Sequence, residues 1–166
     1  MNPESGEALG RVLVPLDGSK VGEAALPVIL KLMTNLSPEI KVEVTLLGVI
    51  TQLRHWVVVG EASAPVAYTE EEMRLIQQQV MDYLIKAGEN LRNKGVIVNT
   101  RVSIGSNAAE EILKVADEIK ADLIAMSTHG RSGLHRLAFG SVTDKVLRGA
   151  NVPVLTVRAP VGTINA

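Results

Sequence analysis

The chain has 166 residues, enough for one well-cored domain and too few for two of ordinary size. With 46% hydrophobic and 21% charged residues it has a globular composition, but one Phe, one Trp and two Tyr leave Val, Ile, Leu and Ala to fill the core. A formal net charge of −1 excludes a general attraction to nucleic acid or anionic membrane, and the absence of cysteine excludes disulfides, thiolate metal sites and a cysteine nucleophile. The opening MNPESGEALG is polar and acidic where an export signal is basic and then apolar, and no apolar run is long enough to span a bilayer. A cytoplasmic location, without membrane or nucleic-acid partners, is therefore expected.

Taken in order, RVLVPL (11–16) is a short valine-rich run closed by the turn-like DGS, which reads as a buried strand. KVGEAALPVILKLM (20–33) has helical spacing, with Pro27 expected to remove a donor and kink it. KVEVTLLGVI (41–50) is apolar almost throughout, the mark of a strand buried on both faces of a parallel sheet. Residues 51–68 read as a long loop. TEEE (69–72) is a capping box, after which Met73, Ile76, Val80, Leu84, Ala87 and Leu91 form one stripe along a long helix closed by Gly95. A third strand spans 96–105, a helix capped by Asn107 with Glu110 at the reciprocal position spans 107–120, and a fourth strand covers 121–126. The residues after Ser141 form a last helix, VPVLTVR (152–158) a fifth strand, and APVGTINA a loose tail. Alternating strands and helices imply one α/β domain over 1–166, its core near 10–158, with a parallel sheet covered on both faces.

In such sheets ligands sit beyond the carboxyl ends of the strands. That rule selects PLDGS (15–19) and STHGRSGLHRLAFGS (127–141). The second has the parts of an anion site: glycines that let backbone N–H groups approach an oxyanion, then Gly140 and Ser141 opening a helix whose free N–H groups favour negative charge. Over 129–148, Arg131, Arg136, Lys145 and Arg148 against Asp144 make a local charge of +3, so phosphate is the natural guest. The alternative is that Gly130 and Gly133 only shape a surface turn and Gly140-Ser141 only cap the helix. His55, His129 and His135 lack metal-site spacing, and no P-loop signature occurs.

The segments VLVPLDGS, GRSGLHRLAFGS and PVLTVR resemble the universal stress protein family, over essentially the whole chain. The resemblance implies a flavodoxin-like, Rossmann-like three-layer sandwich, its five-stranded parallel sheet ordered 3-2-1-4-5, and ATP or AMP bound through a G-x2-G-x9-G-[ST] motif. Gly130, followed by nine residues and Gly140-Ser141, matches the later part of that motif, with Arg131, Gly133 and Val142 in or beside it. Ser127 stands where the first glycine would be, so a Cβ is expected to crowd the approach and Ser127→Gly to leave affinity equal or higher. Asp17 matches an aspartate beside base and ribose, and Pro15, Val49 and Met126 match an adenine slot. From the residues alone, Asp17 is as readily a turn or cap residue, and Val49 and Met126 are core.

The leading reading is an adenine-nucleotide-binding stress-response protein, a nucleotide-dependent regulatory or interaction module with no catalytic residue and no resident metal. One alternative is a slow ATPase in which Asp17 positions Mg²⁺ or water; the other is a nucleotide-free dimeric interaction protein. In the implied strand order the fifth strand is a sheet edge, and Val152, Val154, Leu155 and Val157 are expected to join two copies in a homodimer.

Overall fold

The computed structural model describes residues 10–35, 41–59, 62–128 and 140–159. In chain order it contains β1 (Gly10–Leu16), a 3-10 turn (Gly22–Ala24), α1 (Ala25–Thr34), β2 (Val42–Ile50), β3 (Arg54–Val59), β4 (Ala62–Ala67), α2 (Glu70–Ala87), α3 (Glu89–Asn93), β5 (Ile97–Ile104), α4 (Ala108–Glu118), β6 (Leu123–Thr128), α5 (Ser141–Gly149) and β7 (Val154–Arg158). Five strands form a parallel sheet ordered β5-β2-β1-β6-β7, which is the expected 3-2-1-4-5 order once the two extra strands are set aside.

The expected apolar runs become the sheet because it is covered on both faces. In β2, residues 44–48 are all buried, and β1 buries Val12, Leu13, Val14 and Leu16. Strand alternation sends Val12, Val14, Val44 and Leu46 to a layer holding Ala25 and Ile29 of α1, Leu84 of α2 and Leu91 of α3. It sends Leu13, Leu47, Ile124 and Met126 to the opposite layer, with Ile112 and Val115 of α4 and Val146 of α5.

Three details differ from expectation. Residues 51–68 are not a plain loop: β3 and β4 pair antiparallel, Trp56 opposite Pro65, in a separate two-stranded sheet. Pro27 falls in the first turn of α1, where helix N–H groups have no helical acceptor in any case, and α1 is one helix through Thr34. The stripe from Met73 to Leu91 is carried by two helices divided at Gly88, where a Cβ would lie 3.1 Å from Leu46 Cδ1 and from Val98 Cγ1. The first capping box behaves as read: Thr69 accepts from Glu72 N–H while the Glu72 carboxylate accepts from Thr69 N–H at 2.8 Å. Asn107 does cap its helix, but through Ala109 N–H at 3.1 Å, and Glu110 accepts from the Asn107 side-chain amide at 2.7 Å and not from its backbone N–H. The expected loose tail lies outside the described residues, beyond 159.

Candidate functional site at the carboxyl edge of the sheet

The chain leaves β1 for β2 on one side and leaves β6 for β7 on the other. The border between β1 and β6 is therefore the point where connections diverge, the place beyond the strand ends where open α/β sheets bind ligands. The turn after β1 meets the end of β6 there, through Ser127 and Gly22.

After β1, the chain turns through Gly18, whose φ of +82° is a left-handed conformation that suits glycine. This turn presents Asp17 to solvent. Its Oδ1 accepts from Ser19 N–H at 3.0 Å and from Ser19 Oγ–H at 2.6 Å, an Asx turn that fixes the carboxylate. Ser19 Oγ accepts in turn from Gly22 N–H at 2.9 Å. Neighbouring Lys20 and Glu23 form an ion pair at 2.9 Å. Thus the turn role and the exposed-carboxylate role of Asp17, alternatives in the sequence, coexist: one oxygen closes the turn.

Pro15, Val49 and Met126 lie on the α4/α5 side of the sheet. Met126 is buried in that layer, Val49 is half-buried against it, and half-buried Pro15 follows Leu13 on the same face by alternation. Ser127 faces the other way, its Oγ–H donating to the Gly22 carbonyl at 2.8 Å. Across the gap in the described chain, α5 opens after Gly140, with no side chain capping it among the described residues. Asp144 N–H makes the first bond of the helix, to Gly140 O at 3.0 Å, so the N–H groups of Ser141, Val142 and Thr143 have no partner within it. Ser141 is exposed, whereas Val142 packs on the core and Thr143 is buried. Arg148 pairs with Asp144 at 2.9 Å, which leaves the acid in this first turn locally neutralised. Gly130, Arg131 and Gly133 lie outside the described residues.

Sequence reading passed over three participants. Ser19 and Gly22 hold Asp17, and the DGS turn chemistry was the available signal for the first of them. The third is Tyr83 of α2, whose buried hydroxyl lacks a hydrogen-bond partner among the described residues. Burial first, then the Glu23 and Asp17 charges, push its phenol well above the ordinary tyrosine range. Among the described residues no group of three or more His, Cys, Asp or Glu is placed to hold a metal, and no helix is long and apolar enough to cross a membrane.

A five-stranded parallel sheet ordered β5-β2-β1-β6-β7, with helices packed on both faces, defines a doubly wound α/β protein. The family model for universal stress proteins matches residues 9–158, and the chain belongs to that family. It is similar to universal stress protein MJ0531 of Methanocaldococcus jannaschii, 32% identical over 151 residues that cover 90% of this chain and 82% of the relative. Among solved structures, protein MJ0577 shares the fold with a TM-score of 0.66 at 24% identity, over 93% of this chain and 99% of that one. The fold also recurs in the Arabidopsis thaliana protein At3g01520 with AMP bound, TM-score 0.62 at 17% identity, covering 92% and 93% of the two chains. An Archaeoglobus fulgidus universal stress protein in complex with dAMP has a TM-score of 0.58 at 18% identity, covering 90% and 98%.

Proposed function

We propose that the protein binds an adenine nucleotide, AMP or ATP, in the crevice between the β1 turn and the start of α5. The observation that carries this reading is the exposed Asp17 carboxylate, fixed through one oxygen at the switch point next to the end of β6. Its second oxygen accepts from the ribose hydroxyls or the amino group of the base. The half-buried Pro15 and Val49, with Met126 beneath, supply apolar surface for a purine. The free N–H groups at the start of α5 and the exposed Ser141 hydroxyl suit a phosphate, with Gly130, Arg131 and Gly133 contributing through the motif in the sequence. Bound AMP and dAMP in proteins of the same fold support the reading. In function the nucleotide acts as a regulatory ligand of a stress-response module that works as a homodimer.

Protein purified without added ligand is denatured and the released small molecules are separated by chromatography, followed by calorimetric titration with AMP and ATP, each with and without Mg²⁺. Release of an adenine nucleotide, or saturable one-to-one binding, is expected. The absence of both release and binding overturns the reading and favours the nucleotide-free alternative.

A further inference from the structure

One run of hydrogen bonds joins the end of β6 to the turn after β1. Ser127 Oγ–H donates to the Gly22 carbonyl at 2.8 Å, a contact between residues 105 positions apart. The Gly22 N–H donates to Ser19 Oγ at 2.9 Å, and the Ser19 hydroxyl spends its single proton on Asp17 Oδ1 at 2.6 Å. The two bonds at Gly22 hold the peptide units on either side of its α-carbon. Gly22 itself lies against the carboxylate: a Cβ there would stand 2.5 Å from Asp17 Oδ1. Whatever fixes Gly22 therefore fixes the rotamer of Asp17 as well.

From this we infer that Ser127 is a positioning residue for Asp17. Its hydroxyl clamps the β1 turn to β6 and, through Gly22 and Ser19, aims the second oxygen of the Asp17 carboxylate outward. The inference rests on the nucleotide reading only for the identity of the ligand. It reverses the expectation drawn from sequence, in which the Ser127 side chain crowds the site: the hydroxyl points to Gly22 and has a partner there. Loss of that hydroxyl, in Ser127→Ala or Ser127→Gly, weakens binding, although the side chain itself does not touch the ligand.

The test has a ligand-free arm and a ligand arm. In the nucleotide-free protein, amide hydrogen exchange followed by NMR is expected to be faster at Ser19 and Gly22 in Ser127→Ala, while the buried amide of Leu13 stays protected and reports an intact core. Unchanged protection at Ser19 and Gly22 overturns the inference. In the ligand arm, calorimetry with AMP is run as a double-mutant cycle with Asp17→Ala. Ser127→Ala is expected to weaken binding about threefold to tenfold when Asp17 is present, as for one lost neutral hydrogen bond, and to change it less than about twofold when Asp17 is absent. Ser127→Thr, which keeps the hydroxyl, is expected to bind AMP as the unmodified protein does. Equal losses in both backgrounds overturn the inference, because Ser127 then acts independently of Asp17. If the unmodified protein binds no nucleotide, the functional reading fails, and the exchange arm alone decides the positioning role.

Discussion

Gly140 stands at the mouth of α5 with a φ of −53°, which any residue adopts, and no described residue lies within 4 Å of where its Cβ would be. Among the described residues nothing requires glycine there, and a bare backbone at that point suits the close approach of a ligand. Gly140→Val is accordingly expected to leave the unfolding transition in place and to weaken nucleotide binding by more than tenfold, about 1.4 kcal/mol, as read by calorimetry. Unchanged affinity removes Gly140 from the site. Tyr83 poses the opposite case, a buried group whose cost appears with pH. The unfolded chain releases a tyrosine proton near pH 10, whereas burial and the facing Glu23 and Asp17 hold the phenol neutral in the folded state. The folded pKa lies above the unfolded one, so the contribution to stability is complete below about pH 10 and is lost as pH rises beyond it. Denaturant titrations at pH 8 to 11 are expected to show a steeper alkaline loss of stability for the natural protein than for Tyr83→Phe. Parallel curves refute it.

Between elements, α2 approaches β2 closely at Gly48. At Gly48 a Cβ would lie 2.4 Å from Val80 Cγ1, so the helix is seated directly on the backbone of a strand buried on both faces. Gly48→Ala is expected to destabilise the fold by about 1–3 kcal/mol in urea unfolding, and Val80→Ala in the same chain to recover part of that loss. Full independence of the two changes contradicts the packing. Glycine 48 is thus a packing residue inside a run, VTLLGVI, that reads from sequence simply as apolar. The same logic explains which elements were legible. The central strands β1, β2 and β6 read as apolar because they are buried, the edge strands β5 and β7 are only partly so, and Thr69 and Asn107 announce their helices because capping is local chemistry. The β3–β4 hairpin escaped notice because ASAPVA is poor in β-formers and the exposed Ser63, Ala64, Pro65, Val66 and Ala67 give no polar-apolar alternation; the neighbouring WVVV was the usable signal. The helix divides at Gly88, where a Cβ would press on Leu46 and Val98, neighbours that no local pattern contains. At the site, the motif glycines and Asp17 were readable as types at fixed spacings. The bond from Ser127 to Gly22 was not, since it joins residues brought together only by the sheet order.

For the molecule as a whole, the open question of assembly lies in β7, which occupies the sheet edge beside β6. Its side chains are already used within the protomer: Leu155 and Val157 pack on the α1/α2 layer and Val154 on the α4/α5 layer, while Val152 and Pro153 precede the strand. What stays open is the backbone. Ile124 N–H bonds Pro153 O at 3.0 Å and Ala159 N–H bonds Thr128 O at 3.0 Å, so the odd-numbered residues of β7 turn their backbone groups to β6. The even-numbered Val154, Thr156 and Arg158 therefore turn theirs to the outer edge, where no described strand pairs with them, a row of donors and acceptors suited to a second strand. We propose that two copies pair there about a two-fold axis, which satisfies both rows at once. This sharpens the choice of variant. Thr156→Pro deletes an outward N–H, whereas Leu155→Pro deletes an inward one and breaks the β6–β7 ladder of the protomer itself. Light scattering is expected to give twice the 17.7 kDa chain mass for the natural protein and a folded monomer for Thr156→Pro, with Leu155→Pro losing stability as well. A natural protein that is monomeric at micromolar concentration refutes the pairing, and a dimer that survives Thr156→Pro places the contact on another surface.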